Sequence, residues 1–196
     1  MRRNDVWDKK NLIKTLTENG VAVMPTDTIY GIVGRAQDKN VVERIYKIRK
    51  RSSHKPCIIL IGDINELKKF SVSLSGEQKN KLKEYWFTLS GVEVPAPTSI
   101  ILDCPNKKLS YLHRGANTLA FRLPAPEGLR NLLLKVGPLV APSANTEATP
   151  PSKNIEEAKK YFGNAVDLYV NGGVLTGKPS RLIKLHKDGS ATILRV

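Results

Sequence analysis

VAVMPTDTIYGIVGRAQDKNVVERIYKIRKRSSHKPCIILI runs from Val21 to Ile61. The apolar run Val21 to Met24 reads as a short buried strand, and Pro25 leads it into a loop of small hydroxyl residues: Thr26, Asp27, Thr28, Tyr30 and Gly31. Val41, Val42, Ile45 and Ile48 recur at helical spacing, so Asn40 to Lys50 reads as a helix with Asp38 as its cap. The helix ends in a basic cluster, Arg49, Lys50 and Arg51. Lys55 and Pro56 then open a second apolar strand, Cys57 to Ile61. Open α/β sheets place ligands at strand ends and in the loops beyond them. A hydroxyl loop facing several cations suits a small polar ligand beside a phosphate chain.

Helical and strand patterns alternate outward from this segment. Asp8 to Glu18 reads as a helix stopped by Asn19-Gly20. A short helix is expected from Asp63 or Ile64 to Phe70. Another spans Ser75 to Tyr85, with Ser75 and Gln78 spaced as a capping box. Strands follow at Ser99–Leu102 and Thr118–Arg122, a helix at Pro126–Val136, a strand at Leu139–Ala141 and a helix at Ile155–Phe162. Leu168–Val170, Leu182–Leu185 and Thr192–Val196 close the pattern as strands. The class is α/β, without a GxGxxG or GxxxxGK[ST] glycine loop. No internal repeat or linker splits the chain, and the proline-rich stretch Ala141 to Ser152 is too short for a boundary, so one domain over 1–196 is expected.

The 196 residues suffice for a sizeable core, and the 40% hydrophobic content is that of a globular protein. No apolar run approaches the ~20 residues needed to span a bilayer. The opening MRRNDVWDKKNLIK has no apolar signal region, so a cytoplasmic protein without membrane contact is expected. The net charge of +14 favours polyanions, whether RNA, nucleotides or an anionic membrane, or else describes a lysine-rich solubilising surface. Cys57 and Cys104 form no CxxC pair, and His54, His113 and His186 have no metal-ligand spacing. No metal cage from protein side chains is expected.

Read from spacing alone, the candidate residues keep two meanings each. Arg51 and Lys55 are either phosphate ligands or a solvated helix end. Thr26, Thr28 and Tyr30 either bond an amino acid's ammonium and carboxylate or form a strand-to-loop turn. Ser143 and Asn145 either donate to phosphate and ribose or enter a helix. Arg122, at a strand end, is either a carboxylate ligand or an edge charge.

Taken together, PTDTIYG, Arg49-Lys50-Arg51, Lys55-Pro56, PAPTSIIL (Pro95 to Leu102), TLAFRLP (Thr118 to Pro124), APSAN (Ala141 to Asn145), Lys178-Pro179-Ser180 and Ile193-Leu194-Arg195 resemble, in order, the motifs of the YrdC-like family of threonylcarbamoyl-adenylate synthases, in its single-domain form. Arg49 stands where that family usually has lysine. Phe87 to Val94 lengthens the approach to Pro95, Ala96 replaces a glycine, Thr146-Glu147-Ala148 replace a serine-glycine, and Arg181 replaces a threonine.

The resemblance implies a twisted mixed β-sheet, curved like an open barrel around a cavity and flanked by helices. It implies a nucleotidyltransferase that condenses L-threonine, bicarbonate or CO2, and ATP with Mg2+ to threonylcarbamoyl-AMP and pyrophosphate. The product would serve threonylcarbamoyladenosine modification of tRNAs reading ANN codons, through a downstream threonylcarbamoyl-transferase machinery. It assigns Arg49, Arg51, Lys55, Ser99, Ser143, Asn145 and Arg195 to ATP, and Thr26, Thr28, Tyr30, Arg122 and Ser180 to L-threonine. The general base stays unassigned. Two other readings stay open: a YrdC-like protein that binds RNA, double-stranded or tRNA, or the ribosome without synthase activity, and a carbamoyl-adenylate domain of the kind found in larger hydrogenase-maturation proteins.

Overall fold

The computed structural model describes residues 9–87 and 96–196. Asp8, the expected start of the first helix, Pro95, and residues 88–94 of the lengthened approach lie outside the described residues.

Helix α1 (Lys9–Thr17) stops at Asn19, whose φ of 62° is the left-handed turn that Asn-Gly signals. Strand β1 (Ala22–Pro25) then pairs antiparallel with β2 (Tyr30–Arg35), with Val23 opposite Ile32. The hydroxyl loop is therefore the turn of a hairpin. The sequence reading has no β2, because Gly31 and Gly34 break the apolar pattern of YGIVGR. Gly34 has a packing reason: a β-carbon there would collide with Val41 and Ile45 of α2 (Lys39–Arg49). Asp38 caps α2, accepting from the N–H groups of Asn40 at 2.8 Å and Val41 at 3.1 Å.

Strand β3 (Ile58–Leu60) follows the basic turn. The expected short helix is a 3-10 segment, Ile64–Phe70. Helix α3 (Gly76–Trp86) carries the expected capping box of Ser75 and Gln78. Then come β4 (Thr98–Asp103), a single unexpected turn α4 (Ser110–His113), β5 (Thr118–Arg122), α5 (Glu127–Val136), β6 (Leu139–Val140), α6 (Ile155–Phe162), β7 (Leu168–Tyr169), β8 (Arg181–Leu185) and β9 (Ala191–Arg195).

Among the described residues nine strands join one mixed sheet in the order β7-β1-β2-β6-β3-β5-β4-β8-β9, which is not closed. Side chains alternate between its faces. Val21 and Val23 enter the larger core with Val41, Val42, Ile45, Phe70 and Phe121. Ala22 and Met24 face the other way, under Leu12 and Leu16 of α1 and Leu129, Leu132 and Leu133 of α5. Burying each such leucine is worth about 1.5–3 kcal/mol. On β5, Leu119 and Phe121 go to the larger core, while Thr118, Ala120 and Arg122 line a cavity. Ile58 both packs beside the α1–α5 core and lines that cavity, so helices and cavity share one face of the sheet.

Candidate functional site

The turn between β1 and β2 is held by its own hydroxyls. Thr26 Oγ1 donates to the Ile29 carbonyl at 2.7 Å and lies 3.1 Å from Thr28 Oγ1. Tyr30 is fully buried; its hydroxyl donates to the Gly173 carbonyl and accepts from the Gly172 N–H, both at 2.8 Å. Burial pushes its phenol pKa up. Tyr30 therefore pins the 172–173 segment beside the cavity that it helps to line. Gly177 passes so close to Thr28 that a β-carbon would collide with the Thr28 carbonyl.

Asp27 points the other way, to β5. Its Oδ1 lies 2.9 Å from Arg122 Nη2, without the alignment of a hydrogen bond, and both side chains are almost wholly buried. Burial lowers the Arg122 guanidinium pKa, and Asp27 opposes that shift. Arg122 Nε has no partner. A buried, unpaired donor in a cavity wall is costly unless an anion or another acceptor satisfies it.

The last residue of α2, Arg49, is 2% exposed. Its Nε donates to the Asn145 carbonyl at 2.9 Å, and its Nη2 to Asn145 Oδ1 at 2.9 Å and Ser143 Oγ at 3.3 Å. Burial first, then Arg51, lowers its pKa to about 10, which leaves it cationic at neutral pH. Asn145 is equally committed: its Nδ2 donates to the carbonyls of Thr146 at 2.9 Å and Thr149 at 2.6 Å. Arg51 folds back on its own turn, with Nε to the Lys55 carbonyl at 3.0 Å and Nη2 to the Pro56 carbonyl at 3.1 Å. Lys55 pairs with Glu147, Nζ to Oε1, at 2.6 Å.

At the far side, Ser99 and Ser180 share a buried hydroxyl contact of 2.8 Å. Arg195 reaches from β9 to donate to the Ser180 carbonyl, Nε at 2.9 Å and Nη2 at 2.8 Å. Partial burial lowers its pKa.

These elements surround a cavity of about 380 Å3. Of the expected site residues it brings together Thr26, Thr28, Tyr30, Arg51, Arg122, Ser143, Ser180 and Arg195. Arg49, Asn145 and Ser99 stand behind the wall, where they hold Ser143 and Ser180, and Lys55 lies outside it on the Glu147 pair. The sequence reading missed Cys57, Thr118, Pro142 and Leu182 as wall residues. Alternation along the strands was the available signal for Thr118 and Leu182. It also missed Asp27 as the partner of Arg122, a pairing across 95 positions of sequence that no local pattern carries. A wall of hydroxyls and guanidinium groups can orient a small zwitterion and hold anionic oxygens.

The Sua5/YciO/YrdC family model, described as "Telomere recombination", matches residues 14–196. The chain is 26% identical over 172 residues to the threonylcarbamoyl-AMP synthase of Pyrococcus abyssi, covering 87% of this chain and 48% of that protein. It is 30% identical over 160 residues to the threonylcarbamoyl-AMP synthase of Bacillus subtilis, covering 81% of this chain and 44% of that one. The chain thus spans about half the length of these relatives. Among solved structures, P. abyssi Sua5 complexed with L-threonine superposes with a TM-score of 0.81 at 25% identity, over 95% of this chain and 53% of that one.

Proposed function

The chain belongs to the Sua5/YciO/YrdC family, and on that premise we propose that it is an L-threonylcarbamoyladenylate synthase, condensing L-threonine, bicarbonate or CO2, and ATP with release of pyrophosphate. The observation that carries the proposal is the single wall joining the hydroxyls of Thr26, Thr28 and Ser180 to the guanidinium groups of Arg122, Arg51 and Arg195. Arg122, which lines the cavity and keeps one donor unpaired, is the group we assign to the threonine carboxylate. Thr26, Thr28 and Ser180 then orient the amino acid. Arg51, Ser143 and Arg195 take the nucleotide. Arg49, Asn145 and Ser99 act as positioning residues, because their hydrogen bonds hold Ser143 and Ser180.

In the proposed reaction the threonine amine loses a proton and its nitrogen bonds the carbon of CO2, giving a carbamate. A carbamate oxygen then bonds the α-phosphorus while the bond to the bridging oxygen breaks and pyrophosphate leaves. The protein's part is alignment and the preorganised positive charge of its arginines. Mg2+ would enter with the nucleotide: the described lining residues include no carboxylate to ligate it, so phosphate oxygens would have to hold it, and it would offset their charge.

Pyrophosphate release tests the proposal. It should require threonine, bicarbonate and ATP together; release independent of threonine, or none at all, overturns it. The net charge of +14 supports direct contact with tRNA or double-stranded RNA before the adduct passes to a transferase. RNA affinity that falls steeply with salt is the expected result of a filter-binding titration. No helix among the described residues is long and apolar enough to cross a membrane.

A further inference from the structure

One acidic side chain sits where the basic turn after α2 would otherwise meet an anion. Glu147 Oε2 accepts from the Ser52 N–H, and its Oε1 takes Lys55 Nζ at 2.6 Å. Its own N–H donates to the Arg49 carbonyl at 2.9 Å. The carboxylate is presented by a built turn. Ala148 adopts a left-handed φ of 65°, a conformation unfavourable for a residue with a β-carbon, and Asn145 Nδ2 gathers the carbonyls of Thr146 and Thr149. Arg51 and Pro56, at the two ends of this turn, line the cavity, so Ser52 and Lys55 stand just outside it, at its edge. A backbone N–H, an ammonium and a nearby guanidinium make an oxyanion cradle. Glu147 fills two of its donors.

We propose that Glu147 is an internal competitor for the outer phosphates of a polyphosphate ligand, which must displace its carboxylate from Ser52 and Lys55 to bind. The inference rests on the nucleotide reading for the ligand's name, but the chemistry it claims is that of any polyphosphate. The Lys55 side chain is 62% exposed and that of Glu147 27%, so water screens the pair and it is cheap to open. The Lys55 and Ser52 hydrogen bonds hold the carboxyl pKa below its ordinary value, so it stays charged near neutral pH. The role of Glu147 is to set the affinity: it lowers the hold on an outer phosphate without touching the amino-acid end of the cavity.

Calorimetry with inorganic tripolyphosphate tests this on the wild type, Glu147→Gln, Glu147→Ala and Glu84→Gln. The last removes one carboxylate on α3, where Glu84 pairs with Lys81, and so measures the effect of net charge alone. Both Glu147 variants should bind tripolyphosphate about three- to tenfold tighter, a gain that shrinks with added salt. Glu84→Gln should match the wild type. Unchanged or weaker binding in both Glu147 variants, or an equal gain in Glu84→Gln, overturns the proposal. Should none of the proteins bind ATP while the Glu147 variants still gain for tripolyphosphate, the nucleotide reading falls and the internal competitor stands.

Discussion

Arg122 and Asp27 form an ion pair with almost no exposure, and one donor of the arginine is unpaired. Breaking such a pair from one side leaves a buried charge. Arg122→Ala should cost about 3–5 kcal/mol in urea denaturation. Adding Asp27→Asn to it should recover part of that loss, and additive costs would show that the two groups do not interact. Thr28→Val keeps the side chain's shape and removes a hydroxyl from the wall. It should raise the KM for threonine in pyrophosphate release by about two- to tenfold with ATP binding unchanged. Arg49→Lys keeps the charge but not the fork that reaches both Ser143 and Asn145. It should lower stability by about 1–3 kcal/mol, and a wild-type melting curve would show that the fork's hydrogen bonds add nothing to the fold. The residue types at the wall were readable in the sequence because hydroxyls and arginines stand out. Their division into wall and support was not, since it depends on which donors Asn145 and Ser180 already satisfy through space.

At the level of elements, α2 was legible almost to the residue, because Asp38, the apolar period and the basic end all agree. Asp38→Ala should cost about 1 kcal/mol by thermal or chemical denaturation. Strand β2 was not legible. Its glycines look like loop residues, yet Gly34 is dictated by α2 lying against the strand, a tertiary cause that overrides local propensity. The turn α4 was too short to give any period. Gly177 belongs to the same class of tertiary glycines. Gly177→Ala must push the 177 segment or the Thr28 loop aside, so it should impair threonine use more than ATP binding. An unchanged threonine dependence would mean that the two segments part without cost to the site.

For the whole molecule, the α/β alternation foretold the class, while the strand order could not be read, since β6 enters between β2 and β3 from 80 residues further along the chain. Ligands that prefer the folded state raise its melting temperature by mass action. ATP and L-threonine should each do so, and together more than either alone; no shift at millimolar ligand would count against a shared cavity.

The cavity wall draws on residues as early as Thr26 and as late as Arg195. This bears on time as well as on affinity. Pairings so distant along the chain are slow to form, and a wall assembled from them does not exist until the strands and loops that carry its residues are all in place. Ligands therefore find nothing to hold on the way up the folding barrier, and act only on the descent from it. Refolding in a stopped-flow mixer should run at one rate with or without ATP and threonine. The half-life under protease in unfolding conditions should lengthen when both are present, because bonds absent from the transition state slow its approach from the native side. For this fold, occupancy is a clock on unfolding: a filled molecule differs from an empty one chiefly in how long it lasts.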